Sequence, residues 1–286
     1  MVAGLEGLTD FRNYARNMPL DIFTDTSTTV INTVRGQVQV VCSGFMALYG
    51  FVPVHTSLSV YIDEPTVYGE AKGIEAAVSW AKWFLGRSLV RPPVRFFSDS
   101  LPTLQKISTD YKRYSENIRN GRDCIKNVNM RNKFSNYTSD IFTSIFNSGL
   151  EIYMYHVPGH MPVYDSQLFG RKFKEYKNKF MYNNRNLLFA REYGNLCNYN
   201  GLMYFGTYNN VIDIATRNFL FQYKPFIEND VNILVNQGYL LGNNKIHSTI
   251  LWPVNVNALI GGEEPNPVAT SSPANFDVNN YLLPQY

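Results

Sequence analysis

Asp25, Glu70, Asp99 and Asp165 each stand in a setting that carries a carboxylate to one end of an α/β sheet. Asp25 lies in Leu20-Asp21-Ile22-Phe23-Thr24-Asp25-Thr26-Ser27, where alternation puts Phe23 and Asp25 on one face of a strand. Glu70 falls on the apolar stripe of a helix capped by Thr66, in which Val67, Ala71, Ile74, Ala77, Val78, Ala81, Phe84 and Leu85 recur at helical spacing. Glu75 points about 140° away from it by the 3.6-residue period. Asp99 ends the run Val94-Arg95-Phe96-Phe97-Ser98, with Ser100 and Pro102 following as cap and early helical position, so it sits at a strand's carboxyl end. Asp165 follows an alternating strand, Glu151 to Val157, and a Gly159-His160 loop, and opens a helix.

Carboxylates gathered in this way imply cations between them. Two like charges about 4 Å apart repel by roughly 4 kcal/mol at an effective dielectric near 20. Oxygen ligands point to Mg2+, with Mn2+ as the other candidate. Four histidines and three cysteines (Cys42, Cys124 and Cys197) show no clustered spacing, which argues against zinc and leaves the cysteines as reduced packing residues.

The set of motifs resembles the type 1 ribonucleases H, within the wider retroviral-integrase-like superfamily. Phe23-Thr24-Asp25-Thr26-Ser27 resembles that family's opening Thr-Asp-Gly-Ser strand, with Thr26 in place of the small glycine. Gly69-Glu70-Ala71-Lys72-Gly73-Ile74 is similar to its acidic helix and Phe97-Ser98-Asp99-Ser100 to its Thr-Asp-Ser motif. His156-Val157-Pro158-Gly159-His160 resembles the Val-x-Gly-His loop before the last acid, although the stretch from His160 to Asp165 is short and Met161 stands where Asn is common.

The resemblance spans residues 18 to about 182. It implies a metal-dependent endonuclease that cuts the RNA strand of RNA/DNA hybrids, leaving 5′-phosphate and 3′-hydroxyl ends. Asp25 would bridge two ions, with Glu70 and Asp99 completing one shell and Asp165 the other; His160 would shuttle a proton, while His156, inside its strand, reads as structural. Thr26 and Ser100 are implied substrate contacts. A DNA nuclease of the same fold, such as a junction resolvase, is the competing enzyme reading. A non-catalytic nucleic-acid-binding or structural protein is the competitor from another class.

The elements that must position these residues follow in order. Three strands (19–30, 36–49 and 54–63), a helix (67–86), a strand (93–99), helices with a basic segment (101–148), a strand (150–157) and a helix (164–182) indicate an α/β fold. Its core is a mixed five-stranded sheet with helices on both faces, as the RNase H-like fold has. Lys112, Arg113, Arg119, Arg122, Lys126, Arg131 and Lys133 crowd a segment with Tyr111, Tyr114 and Phe134 interleaved, a candidate phosphate-binding face in which Arg119, Arg122 and Lys126 are the named contacts.

From residue 183 the chain reads as a small accessory module with an irregular tail (261–286), available for a protein partner or self-association. Within it Gly201 to Gly206 reads as a hairpin strand, while Ile212, Ala215, Phe219 and Tyr223, then Ile227, Val231, Leu234 and Val235, have helical spacing. All candidate catalytic residues precede it, so the module is expected to be separable from the chemistry. At 286 residues, 45% hydrophobic, with net charge +3, the chain has enough apolar sequence for a sizeable core, and it shows neither a membrane-spanning stretch nor a signal sequence. A cytoplasmic location is expected. The Asn- and aromatic-rich extension resembles phage proteins, which would make that the host cytoplasm and replication or primer removal the setting.

Overall fold

The three leading apolar runs pair as an antiparallel meander, β1 (Leu20–Thr33), β2 (Gly36–Tyr49) and β3 (Val52–Ile62). β4 (Val94–Ser98) and β5 (Ile152–His156) then join on the other side of β1, each parallel to its inner neighbour. A short β6 (Ile250–Trp252) adds antiparallel to β3, giving the order β5-β4-β1-β2-β3-β6. The arrangement of β1 to β5 with helices on both faces is a divergent RNase H-like fold, as the motifs imply. The computed structural model describes residues 18–34, 36–86, 91–120, 141, 144–236 and 250–252. Among the described residues no helix is long and apolar enough to cross a membrane.

Alternation along β2 separates the two faces. Ser43 donates to the carbonyl of Gly69, and Phe45 packs on Trp80, so the odd positions face α1 (Thr66–Gly86). Gly44 faces the opposite layer, where a Cβ would meet Ile212 and Thr216 of a long helix, Tyr199–Asn236. Between α1 and that helix the chain forms α2 (Leu101–Arg119), α3 (Ser166–Asn184) and the single turn α4 (Tyr193–Leu196), so the long helix is α5. Its buried Phe205 stacks on Phe97 of β4 at 4.5 Å, and Phe97 stacks on Phe23 of β1 at 4.8 Å. Tyr204 donates to Asp21, which is fully buried on β1 and also held by both Nε and Nη2 of Arg95.

These contacts correct the reading of the carboxyl-terminal part. Leu202, Phe205, Ile212, Ala215, Phe219 and Leu220 belong to the same hydrophobic core as the sheet, so α5 is a layer of the same fold and not a module packed apart from it. The expected hairpin strand from Gly201 to Gly206 is the first part of this helix. Its glycines mark close packing instead of a turn: a Cβ would lie 2.2 Å from the Leu196 carbonyl at Gly201 and 2.8 Å from Met161 and Val163 at Gly206. Two smaller differences concern α1. Thr66 is its first helical residue, its hydroxyl accepting from Gln39, and Val67, expected on the buried stripe, is 37% exposed.

Candidate metal centre

β4 stops at Ser98, which pairs with Thr24, so among the described residues β1 has no strand neighbour on that side from Asp25 onward. Carboxyl ends of parallel strands leave such a crevice, where α/β folds bind ligands. Asp25, Glu70 and Asp99 converge there, each offering a carboxylate oxygen, all within 4.8 Å of one another.

Local sequence explains each arrival. Gly69 and Gly73 lie four residues apart, on one face of α1. A Cβ on Gly69 would come 2.4 Å from Val41 and 2.6 Å from the Thr26 methyl, and one on Gly73 would come 2.5 Å from the Ser43 hydroxyl. The two glycines therefore let α1 settle on β1 and β2, which brings Glu70 to the crevice. Asp25 accepts from the Thr26 backbone N–H at 2.7 Å. Asp99 is fixed at its backbone by His156, whose Nε2–H donates to the Asp99 carbonyl at 3.1 Å while Nδ1 accepts from Asn183. Burial lowers the His156 pKa to about 4, so the ring is neutral and structural. Gly159 completes the setting, because a Cβ there would lie 2.7 Å from Asp99 Oδ2.

The electrostatics are those of a site that lacks its counter-charge. Burial, and then the charge of Asp99, push Asp25 up to about 8, against the opposing Thr26 N–H. Burial, then Asp25 and Asp99, hold Glu70 well above the usual carboxylate range. Burial also raises Asp99, opposed by His160 and by a hydrogen bond from Asn209. Glu70 Oε2 is buried without a hydrogen-bond partner. A buried carboxylate oxygen left unpaired is costly, and a cation is the partner that would satisfy it. The donor set, all oxygen and all anionic when ionised, fits a hard divalent ion.

The remaining predicted residues separate. Asp165 is not in the cluster: its exposed side chain accepts from the Leu168 N–H at 2.9 Å, so it is the N-cap of α3. Because the loop from His160 is short, α3 starts where that carboxylate is needed to cap it. His160 adopts a left-handed backbone (φ +53°) and is 76% exposed, its Nδ1 3.7 Å from Asp213. The Thr26 hydroxyl is buried, which turns it away from any substrate, and Ser100 bonds to the Thr103 hydroxyl. Arg119 is exposed on the wall of a groove of about 1250 Å3 that also includes Lys112, Arg185 and Arg191 and none of the clustered carboxylates. Arg122 and Lys126 lie outside the described residues, as does the tail from 261.

Three residues near the site escaped sequence reasoning, all on α5: Asn209, Asp213 and Arg217. Asn209 bonds to Asp99, and Asp213 pairs with Arg217 and acts electrostatically on both Asp25 and Asp99. The signal that would have found them is the N-cap Asn198, whose side chain accepts from the Gly201 N–H at 2.8 Å. It starts a helical period carried by Leu202, Phe205, Ile212 and Phe219, with the buried Asn209 and Thr216 between them.

No family model and no curated protein matches the sequence. Among solved structures the chain is similar to a foamy viral protease–reverse transcriptase in complex with double-stranded DNA, at 15% identity and a TM-score of 0.37 over 55% of this chain and 92% of that one. It is also similar to LC9-RNase H1, a type 1 RNase H with the type 2 active-site motif, at 12% identity and 0.31 over 50% and 64%. RNase H1 from the halophilic archaeon Halobacterium salinarum NRC-1 follows at 13% identity and 0.29 over 49% and 86%. The strand order is that of an RNase H-like α/β fold. The chain's acidic cluster of Asp25, Glu70 and Asp99 is a candidate divalent-metal centre.

Proposed function

We propose that the chain is a divalent-metal-dependent endonuclease that hydrolyses the RNA strand of RNA/DNA hybrids, leaving 5′-phosphate and 3′-hydroxyl ends. The observation that carries the reading is the meeting of Asp25, Glu70 and Asp99 within 4.8 Å, with Glu70 Oε2 buried and unpaired. These three would hold Mg2+ or Mn2+. Such ions, when bound in pairs, lower the pKa of an attacking water and stabilise the leaving oxygen of an in-line displacement.

The chain's own residues supply orientation and proton transfer. The Thr26 N–H fixes the Asp25 carboxylate, while His156 and Asn209 fix Asp99 from its backbone and its side chain. Gly159 keeps the following loop against Asp99, so that His160, next in sequence and open to solvent, would pass a proton to the departing 3′ oxygen. Hybrid recognition through the 2′-hydroxyls of the cut strand would fall to the backbone around Thr26 and to Ser100.

The test is cleavage of hybrid, duplex DNA, duplex RNA and branched DNA by the full chain, with Mg2+ and with chelator. Metal-dependent cutting of the hybrid's RNA strand, lost in Asp25→Asn and Asp99→Asn, is the expected result. Preference for branched DNA would make the chain a junction nuclease, and cutting that persists in chelator would remove the metal centre from the account.

A further inference from the structure

We propose that Asp213, on α5, supplies the fourth carboxylate of the metal centre, the role that chain order had offered to Asp165. The inference rests on the metal-centre reading above. Geometry brings α5 to the right level of the sheet. Gly44 pairs with Asp25 across β1 and β2, and a Cβ on Gly44 would lie 3.0 Å from Thr216 and 3.1 Å from Ile212, the residues that flank Asp213 on the buried side of the helix. The Thr216 hydroxyl also bonds to that of Ser27, two residues beyond Asp25, at 2.9 Å.

Asn209, Asp213 and Arg217 follow at four-residue spacing and so share a face of α5. Asn209 bonds to the Asp99 carboxylate at one end of this row. Asp213, one turn on, acts electrostatically on both Asp99 and Asp25, and its Oδ2 lies 3.7 Å from His160 Nδ1. Among the described residues Arg217 forms an ion pair with Asp213, and the His160 ring lies beside the same carboxylate.

Two buried oxygens around the crevice lack a partner. Glu70 is 8% exposed with Oε2 unpartnered, and Asn209 is 1% exposed with Oδ1 unpartnered. A cation bound among Asp25, Glu70 and Asp99 would offer Asp213 a partner in place of Arg217. Asp165 has no such freedom, since it is committed to the N-terminus of α3.

The experiment is a Mn2+ titration of the substrate-free full chain, followed by electron paramagnetic resonance and by calorimetry. Wild type would be compared with Asp25→Asn, Asp213→Asn, Asp165→Asn and Arg217→Gln. Asp213→Asn should weaken Mn2+ binding about ten-fold or more, and Asp165→Asn should leave it within about two-fold. Arg217→Gln should tighten it, because a competing cation is gone; a purely structural Asp213–Arg217 pair would give equal losses in both variants. If Asp213→Asn melts without a cooperative transition, Arg217→Gln decides: tighter binding supports the proposal, and unchanged or weaker binding overturns it. Asp25→Asn weakening Mn2+ while Asp213→Asn does not would sink this inference alone. A wild-type chain that takes up no Mn2+ would sink the metal centre and this inference with it.

Discussion

Neutralising Asp25 should stabilise the metal-free protein while abolishing its activity. In the fold its pKa rises from 3.8 to about 8, first through burial and then through Asp99. A group whose folded pKa lies above its unfolded value contributes stability that is complete below the unfolded value and is lost as pH rises through the folded one. For Asp25 that window runs from about 4 to about 8. At about 1.4 kcal/mol per pH unit, folding at pH 7 costs on the order of 4 kcal/mol to keep Asp25 protonated, and above pH 8 the cost levels off near 6 kcal/mol. Asp25→Asn removes this cost and keeps an oxygen for the Thr26 N–H. With about 2–4 °C per kcal/mol for a chain of this size, the gain at pH 7 in chelator is on the order of 10 °C. Thermal melts of wild type and variant at pH 5, 7 and 9, in chelator and in saturating Mg2+, measure it. The gain should grow between pH 5 and 8, and Mg2+ should raise the wild type more than the variant, since a ligand bound only by the native state stabilises it. A variant that melts at or below wild type in chelator, or whose gain is the same at every pH, would refute the reasoning.

Other consequences can be checked more briefly. Gly159→Ala would drive a Cβ to 2.7 Å from Asp99 Oδ2, so activity should fall at least ten-fold while the melting temperature drops only a few degrees. Gly69→Ala meets Val41 and Thr26 inside the core and should instead cost about 1–3 kcal/mol of stability, read by denaturant unfolding. Replacing Arg119, Arg122 and Lys126 with Ala should flatten the salt dependence of hybrid binding by about 2 to 3 in log–log slope if all three contact phosphate, and an unchanged slope would make this a solvated face. Truncation at residue 183 should give an insoluble or molten chain, because it strips α5 from the sheet and exposes Phe23, Phe97 and Gly44; a folded, active fragment would restore the separable module.

What the sequence made legible follows from how local each signal is. β1 to β5, α1 and α3 are short periods bounded by turn and cap residues, and their spacing reaches the structure nearly unchanged. Asp25, Glu70 and Asp99 were legible because each sits at a fixed offset from such a boundary. Asp165 sat at an equally good boundary, but the same carboxylate that can bind a metal can cap a helix, and spacing alone does not say which. The short loop decides it, since Asp165 Oδ1 is already taken by the Leu168 N–H.

The α5 residues were hidden for a different reason. Gly201 and Gly206 look like turn punctuation, yet both are places where the helix presses against neighbouring chain, a tertiary demand that no local window carries. Once the helix is continuous from Tyr199, Asp213 stops being an acid in an appendage and becomes the residue one turn beyond Asn209, facing Asp99 and Asp25. The apolar face that makes α5 part of the core is therefore also what carries its polar row to the crevice. Removal of the helix should cost fold and chemistry together, because Phe205 against Phe97 and Asn209 against Asp99 are set by the same packing of α5 on β1 and β4.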